Sequence, residues 1–172
     1  MKNHVVGLLA AAAFAFALPA AAQQNITFTN EISVFGSWEN MDEPVDVEQT
    51  NINLRYGRVI QPQLVGTLGL RRTRFEGGGI DAAATALLVG AKYYITAPRG
   101  NAIVPFLDAA VGVAMTDDGR DDSTDLTWEF GGGVSWFFTQ ATSFDAALRF
   151  FHTNTDVETK GTRITIGLTT RF

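Results

Sequence analysis

The sequence predicts an all-β protein, an eight-stranded antiparallel up-and-down transmembrane β-barrel that follows a cleaved N-terminal signal peptide. Eight runs of residues alternate apolar and polar side chains with a period of two, which is the repeat of a β-strand. Turn residues separate these runs, and no helix-period segment competes with them. The apolar stretches are too short for a spanning helix, so the chain would have to cross a membrane as closed strands.

The N-terminal segment has the features of a targeting signal. Lys2 supplies positive charge, an apolar and alanine-rich run covers residues 5–18, and Pro19 precedes three alanines that end at Ala22. This order is that of a secretory signal peptide cut before Gln23. We therefore expect residues 1–22 to be removed and a single barrel domain to span residues 23–172.

The composition narrows the possible functions. The chain has 18 Asp+Glu against 13 Lys+Arg, a net charge of −5, and no cysteine. An acidic exported protein is poorly suited to nucleic-acid binding, so no nucleic-acid partner is expected. Without cysteine there are no disulfides and no thiolate metal sites. Because no phosphate loop, zinc pattern or catalytic triad is visible, no cofactor is expected either.

The first three predicted strands follow the targeting segment. The first, residues 26–38, alternates except at Asn30 and Phe35. The second, residues 50–60, ends at a turn that contains a proline, and the third, residues 64–75, runs into three glycines. A turn with proline and a run of glycines are both typical of the ends of strands.

The next four predicted strands cover residues 83–95, 103–115, 126–138 and 143–153. The first two of these are separated by a segment with Pro and Gly, and the second is followed by an acidic segment. In the third, the consecutive glycines 131–133 indicate a bend or bulge. The eighth strand, residues 161–172, has an apolar face opposite a face with two arginines.

The connections between the predicted strands indicate an orientation. Those after strands one, three, five and seven are long, at residues 39–49, 76–82, 116–125 and 154–160, and the others are short. Bacterial barrels have short periplasmic turns and longer outer loops. Most of the acids fall in or beside the long connections: Glu39, Asp42, Glu43, Asp46, Glu48, Glu76, Asp81, Asp117, Asp118, Asp121, Asp122, Asp125, Asp156 and Glu158. We therefore expect acidic outer loops that meet an extracellular partner.

Aromatic residues gather near the two ends of the predicted strands. One set falls where the strands would meet the periplasmic interface: Tyr56, Tyr93, Trp136, Phe138, Phe144 and Phe172. A second set lies toward the other rim: Trp38, Trp128 and Phe150. Two such girdles are typical of a barrel that is embedded in lipid.

The alternation also places charged residues inside the predicted barrel. The inward positions hold six cations and four acids: Glu31, Arg55, Arg71, Lys92, Asp108, Glu129, Asp145, Arg149, Arg163 and Arg171. An eight-stranded barrel is just wide enough for side chains to fill it, so these groups should form a network of ion pairs. Asp145 and Arg171 come near the same end of adjacent strands, and we expect them to pair.

The acidic segment 116–125 could bind calcium, because its aspartates offer many oxygen ligands. It lacks the spacing of an EF-hand and the glutamate that closes one. A solvated acidic loop is the other interpretation.

The last strand resembles the C-terminal assembly signal of bacterial outer-membrane β-barrels. Thr165, Gly167 and Phe172 fit the polar, glycine and final aromatic positions of that signal, whereas Thr170 stands where a large apolar residue is usual. The resemblance implies export to the bacterial outer membrane. It also implies a transient partner, the barrel assembly machinery.

Residues 104–112, 131–134 and 143–150 carry the closest local likeness to a known family. Together with the strand pattern, they make the chain similar to the small outer-membrane barrels of the OmpX-like and OmpA-transmembrane-like type. The resemblance implies a monomer in contact with outer-membrane lipid and lipopolysaccharide. Members of this family serve envelope integrity, adhesion, immune evasion or, in some cases, catalysis, so the fold alone does not select the function.

The segment around His152 resembles the catalytic stretch of the lipid A deacylases, which are eight-stranded barrels with a His and a nearby Ser on the lipid-facing surface. Here Asn154 occupies the place of the nucleophilic Ser, and Thr153 points to the other face by strand alternation. Without an activated hydroxyl there is no attacking group for nucleophilic catalysis. We therefore interpret His152 as an interfacial residue.

These observations favour a non-enzymatic barrel with a side-chain-filled lumen, which serves envelope structure or interaction at the cell surface. Two alternatives remain open. One is a narrow pore or a conduit for small hydrophobic molecules, as in OmpW-type barrels. The other is an enzyme similar to the lipid A deacylases.

Overall fold

The computed structural model describes residues 28–41, 48–77, 80–98, 100, 102–117, 122–154 and 159–172. Within these ranges the chain forms eight strands: β1 Asn30–Met41, β2 Glu48–Gln61, β3 Leu64–Gly77, β4 Ile80–Tyr94, β5 Ile103–Asp117, β6 Asp122–Phe137, β7 Thr142–Asn154 and β8 Thr159–Arg171. The predicted signal peptide and the predicted start of the first strand lie outside the described residues. No helix in these ranges is long and apolar enough to cross a membrane.

The strands form one closed barrel in sequence order, β1 to β8, and every neighbouring pair is antiparallel. This confirms the predicted fold class. The barrel closes where β1 pairs with β8, from Glu31 opposite Arg171 to Met41 opposite Gly161. Beyond these pairs, the backbone of Phe172 exchanges hydrogen bonds with that of Asn30 at 3.0 Å in both directions.

The connections between the strands differ from the predicted loops. Pairing continues to Gly77 opposite Ile80, and to Asp117 opposite Asp122. At the acidic end of the barrel, which we define by residues 42–47, 78–79, 118–121 and 155–158, the connections are therefore short. The longest connection, residues 95–102, lies at the opposite end.

The predicted contrast between long and short loops is therefore wrong, and many of the acids stand on strands near their ends. The prediction fails because polar residues interrupt the alternating pattern in the sequence and so resemble a loop. Their backbones nevertheless make the same hydrogen bonds as those of apolar residues, so the strands continue through them.

Side chains alternate between a closed interior and an exposed wall, as the period of two predicts. On β2, for example, Asn53 and Arg55 are buried while Leu54 and Tyr56 are exposed. The exposed positions are mostly large and apolar, which suits a surface that faces lipid. All nine predicted girdle aromatics are on this wall: Trp38, Tyr56, Tyr93, Trp128, Trp136, Phe138, Phe144, Phe150 and Phe172.

Several inward positions need glycine because neighbouring strands approach each other closely. A Cβ added at Gly112 on β5 would lie on the carbonyl oxygen of Leu87 and 2.9 Å from the Cα of Leu88, both on β4. Gly131 meets the backbone of Arg149 on β7 in the same way, at 2.7 Å. These contacts are with backbone, which cannot move aside as a flexible side chain can. The glycines therefore allow the strong curvature of a barrel with only eight strands.

Replacing Gly112 with Ala should destabilise the barrel by about 1–3 kcal/mol, because the new methyl group overpacks the contact with β4. The measurement is urea unfolding of the refolded protein in detergent. Gly36→Ala is the matched control, because a Cβ at Gly36 on β1 meets nothing within 4 Å. Equal stability of the two variants would contradict the close approach of β4 and β5.

Candidate functional site

The interior of the barrel holds all ten of the charged residues that the alternation places inward. Each of these side chains is buried: Glu31, Arg55, Arg71, Lys92, Asp108, Glu129, Asp145, Arg149, Arg163 and Arg171. Their ion pairs form two groups. The first is built around two carboxylates and occupies the middle of the lumen and its acidic half. The second lies nearer the opposite end. Burying ten charges is costly unless each finds a partner, so the pairing decides whether this interior is stable.

Asp108 on β5 is the first of the two central carboxylates. Its Oδ2 accepts hydrogen bonds from Arg55 Nη1 on β2 at 2.8 Å and from Arg149 Nη2 on β7 at 2.7 Å. Arg149 Nε donates to the same oxygen at 2.9 Å, and its Nη1 donates to the hydroxyl of Thr165 on β8. One carboxylate therefore connects three strands across the lumen.

Glu129 on β6 is the second central carboxylate. Its Oε1 lies 3.0 Å from Arg55 Nη2, and its Oε2 lies 2.7 Å from Arg71 Nη1 on β3 and 2.8 Å from Arg163 Nη1 on β8. Because β2 and β6 are opposite each other in a closed ring of eight strands, the contact with Arg55 crosses the full width of the barrel. Arg55 also joins Glu129 to Asp108, so the central ion pairs form one connected network.

The second group lies nearer the opposite end. Lys92 Nζ on β4 contacts Asp145 Oδ2 on β7 at 2.7 Å, and the hydroxyl of Ser143 donates to Asp145 Oδ1 at 2.8 Å. Arg171 Nε on β8 contacts Glu31 Oε2 on β1 at 3.3 Å, and the Tyr94 hydroxyl donates to the same oxygen at 3.3 Å.

The expected pair between Asp145 and Arg171 is therefore wrong, since the structure gives each of them another partner. The two residues are near the same end of adjacent strands, but the opposite wall is within reach in so narrow a lumen. Lys92 from β4 reaches Asp145 there, whereas Arg171 turns across the closing seam to Glu31 on β1.

Buried aromatic rings are the part of the interior that the sequence did not predict as functional. Phe35 lies between two central arginines, with the guanidinium carbons of Arg55 and Arg149 at 5.7 and 5.4 Å from its ring centroid. At the opposite end, Lys92 Nζ lies 4.1 Å from the centroid of Phe106. Such contacts stabilise a cation by the negative face of the ring.

The spacing of these rings from charged residues on the same strand could have identified them as inward-facing. Each of them is an even number of positions from an inward charged residue on its own strand: Phe35, Tyr94, Phe106, Phe137 and Phe151. Phe35 therefore has the inward orientation that the two-residue repeat of its strand predicts. It differs from the other inward positions of that strand only in being apolar.

An apolar plug lies in the lumen at the opposite end. It is a buried cluster of side chains from β3, β4, β5, β6, β7 and the connection before β5: Val65, Tyr94, Ala102, Val104, Phe106, Phe137 and Ala147. Arg171 lies over two of its rings, 4.7 Å from Tyr94 and 4.6 Å from Phe137. The charged network and this plug are therefore continuous with each other.

On the outer wall, His152 belongs to a row of stacked rings on β6 and β7. Its ring lies 5.3 Å from that of Trp128, which lies 5.8 Å from Phe130, and Phe130 lies 5.4 Å from Phe150. The hydroxyl of Thr153 donates to that of Thr127 on the inner side of the wall, at 3.0 Å. Asn154 is exposed. The structure therefore brings no hydroxyl of β7 next to His152.

Two residues of the predicted assembly signal lie on β8, and the third follows its end. Thr165 accepts its hydrogen bond from Arg149, Gly167 is paired with Phe35 on β1 and Asp145 on β7, and Phe172 closes the seam with Asn30. Thr165 and Gly167 are thus also part of the lumen wall. Their role in assembly stays a prediction.

Most side chains of the segment predicted to bind calcium lie outside the part of the chain that the structure describes. Of the segment 116–125, the described side chains are those of Thr124 and Asp125. Within the described ranges no group of three or more acidic or histidine side chains is arranged to hold a metal ion. Calcium binding by this segment stays a prediction.

Three solved structures with this architecture are similar to the chain at low identity, so they show the fold alone. Neisserial surface protein A is 16% identical, with a TM-score of 0.66 over 84% of this chain and 97% of that chain. The Yersinia pestis outer membrane protein Ail, in a phospholipid bilayer nanodisc, is 16% identical, with a TM-score of 0.55 over 85% and 100%. The outer membrane enzyme PagL is 15% identical, with a TM-score of 0.54 over 78% and 97%.

A comparison with curated proteins gave no significant match. The family comparison, in contrast, covers nearly the whole chain. It confirms the expected location in the bacterial outer membrane. Residues 8–172 match the model of the outer membrane protein beta-barrel domain, and the chain therefore belongs to this family.

Proposed function

We propose that this protein is a non-enzymatic outer-membrane barrel with a side-chain-filled lumen, which serves envelope structure or interaction at the cell surface. The observation that carries the proposal is the crossing of the lumen by ion pairs. Arg55 reaches from β2 to the carboxylates of β5 and β6, and Arg71 and Arg163 reach Glu129 from β3 and β8. These contacts occupy the space that a solute would need.

The contacts also favour a rigid, closed interior over a path that opens readily. Asp108 and Glu129 are 7% and 3% exposed, and Arg149 is 1% exposed. Moving any of these side chains aside would leave a buried charge without its partner, which is strongly unfavourable. The plug of aromatic and aliphatic side chains supports closure of the opposite end as well.

An interaction role places the binding surface at the acidic end. With short connections at that end, the strands themselves carry acids toward the rim, for instance at Asp117 and Asp122. A rigid barrel that presents acidic residues on paired strands would display them to an extracellular partner in a constant arrangement. The orientation that puts this end outside is part of the proposal, because the contrast in loop length that predicted it is wrong. The clustering of acids at this end is the observation that supports it.

The surroundings of His152 support a role without catalysis. Its ring stacks on Trp128, and the nearest hydroxyl of its own strand, that of Thr153, is engaged with Thr127 on the other side of the wall. A histidine activates a nucleophile only when it lies within hydrogen-bond reach of it. The stack fits the anchoring of an aromatic girdle at the membrane interface.

A narrow pore is the second candidate, and the excess of cations in the lumen is the observation that favours it. Six buried cations stand against four buried acids among the described residues. An ion path along this surface would therefore prefer anions, because fixed positive charge attracts them into a low-dielectric passage.

The central network should contribute strongly to stability. Asp108→Asn leaves Arg55 and Arg149 without the carboxylate that both contact, so we expect a loss of about 3–5 kcal/mol in the free energy of unfolding. Arg149→Met breaks the same contact from the other side. In a double-mutant cycle measured by urea unfolding, the double variant should lose less than the two single losses combined. Additive losses would mean that the two groups do not interact.

The filled lumen should prevent conduction. In planar bilayers the wild-type protein should give no defined openings. A variant with Ala at Asp108, Arg55, Arg149, Phe106 and Phe137 removes both the central pairs and part of the plug, and it should open if it retains heat-modifiable mobility on gels. Defined openings of the wild type with a preference for anions would instead establish the pore function.

Cells that express the protein should keep all acyl chains on their lipid A, because β7 itself places no hydroxyl next to His152. Mass spectrometry of extracted lipid A measures this, with cells that express His152→Ala as the control. Loss of an acyl chain in the wild type that is abolished in this variant would establish the enzyme function instead.

A further inference from the structure

Gly69 on β3 differs from the other inward-facing glycines of the barrel. It is buried, two positions from the inward-facing Arg71, and it pairs with Arg55 on β2. A Cβ added at Gly69 would keep ordinary contact distances, the shortest being 3.6 Å to the Cβ of Leu88 on β4. At the other inward-facing glycines whose contacts the structure describes, an added Cβ would come closer than 3.0 Å to another atom: Gly57, Gly90, Gly112, Gly131, Gly133 and Gly167. The lumen therefore leaves a space of methyl size beside Gly69.

Two polar atoms of β2 border this space. The Oδ1 atom of Asn53 lies 3.7 Å from the position of the added Cβ, and Arg55 Nε lies 3.9 Å from it. Both residues are only 4% exposed. Asn53 Oδ1 is buried and accepts no hydrogen bond from a described residue. Because a buried acceptor without a donor is costly, we expect a partner for this oxygen within the space.

Arg55 supplies a donor at the same space. Its Nη1 donates to Asp108 and its Nη2 to Glu129, whereas its Nε–H donates to no acceptor among the described residues. The two carboxylates hold the planar guanidinium by both of its ends, so it cannot turn toward Asn53 without loosening one of these bonds. A donor and an acceptor are therefore fixed at the edge of one small space, and they do not pair with each other.

The size and the chemistry of the space fit one water molecule. Water can accept a hydrogen bond from Arg55 Nε–H and donate one to Asn53 Oδ1, and buried waters typically join polar groups in this way. An anion would be repelled by the amide oxygen, and a cation would be repelled by the guanidinium. A neutral solute larger than a methyl group would not fit. Water is therefore the ligand that this space selects.

We propose that one water molecule binds beside Gly69, between Arg55 Nε and Asn53 Oδ1, as a long-lived ligand of the central ion network. Arg55 joins Asp108 to Glu129, so the water fixes the residue on which the connection between the two carboxylates depends. The site does not depend on the proposed function, because a closed barrel and a narrow pore would both contain Arg55.

Filling the space tests the proposal. Gly69→Ala would displace the water and leave Asn53 Oδ1 and Arg55 Nε without a partner, so the equilibrium constant of unfolding should rise about tenfold. The measurement is urea unfolding of the refolded protein in detergent. Gly36→Ala is the matched control, because a Cβ at that outward position meets nothing within 4 Å. If Gly69→Ala is as stable as this control, or more stable, the methyl group fills a dry gap and the proposal is wrong.

Asn53→Leu distinguishes a lost water from a steric effect of the new methyl group. Leucine keeps the branched shape of asparagine without its polar atoms. In this background the water lacks its acceptor, so the further change Gly69→Ala should cost clearly less stability than it does in the wild type. An equal cost in both backgrounds would assign the loss to packing and would overturn the water site.

Nuclear magnetic resonance detects the water directly. For the folded barrel in detergent micelles, a water-selective nuclear Overhauser experiment should give a cross-peak between water and the Hε proton of Arg55, and the cross-peak should disappear in Gly69→Ala. The Hε proton of Arg149 is the internal control, because Arg149 Nε donates to both oxygens of Asp108, at 2.9 and 3.2 Å. Absence of the cross-peak at Arg55, or one of equal strength at Arg149, would contradict a water held beside Gly69.

Discussion

The requirement that every backbone polar group in a lipid environment be paired within the protein governs this structure. Water cannot satisfy an exposed strand edge inside the apolar band, so a sheet that crosses a membrane must close on itself. Here the closure is made by β1 and β8, which stay in register from Glu31 opposite Arg171 to Met41 opposite Gly161. With both edges joined, no strand of the described barrel is left as an open edge.

Closure with eight strands makes the interior narrow, and the residues inside reflect this in two ways. The wall of β4 and β5 carries small inward residues such as Ala86, Gly90 and Gly112, and at the last two another strand approaches closely. The long side chains come from β2, β3, β7 and β8 and reach toward the carboxylates of β5 and β6. Small residues on one side thus leave room for arginines from the other, and the electrostatic network depends on this difference in size.

The sequence alone predicts the strands and the direction of their side chains, because both follow from a local repeat of two residues. It does not predict which charges pair. Asp145 finds Lys92 on β4 across the lumen, and that contact depends on the diameter of the barrel, which no single strand encodes. It also does not predict the extent of the strands at the acidic end, because the acids and glycines between Phe75 and Ala83 resemble a loop, whereas Glu76 pairs with Asp81 and Gly77 with Ile80.

The seam between β1 and β8 joins residues that are very far apart along the chain. Arg171 and Glu31 are separated by 140 positions, and Thr169 and Ser33 by 136. Contacts of such long range form late, since the entropy of closing the intervening loop must be overcome before they contribute stability. Until β8 arrives, Glu31 lacks the guanidinium of Arg171, and the sheet has two unpaired edges that other strands could join. A barrel of this topology is therefore most prone to aggregation just before it is complete.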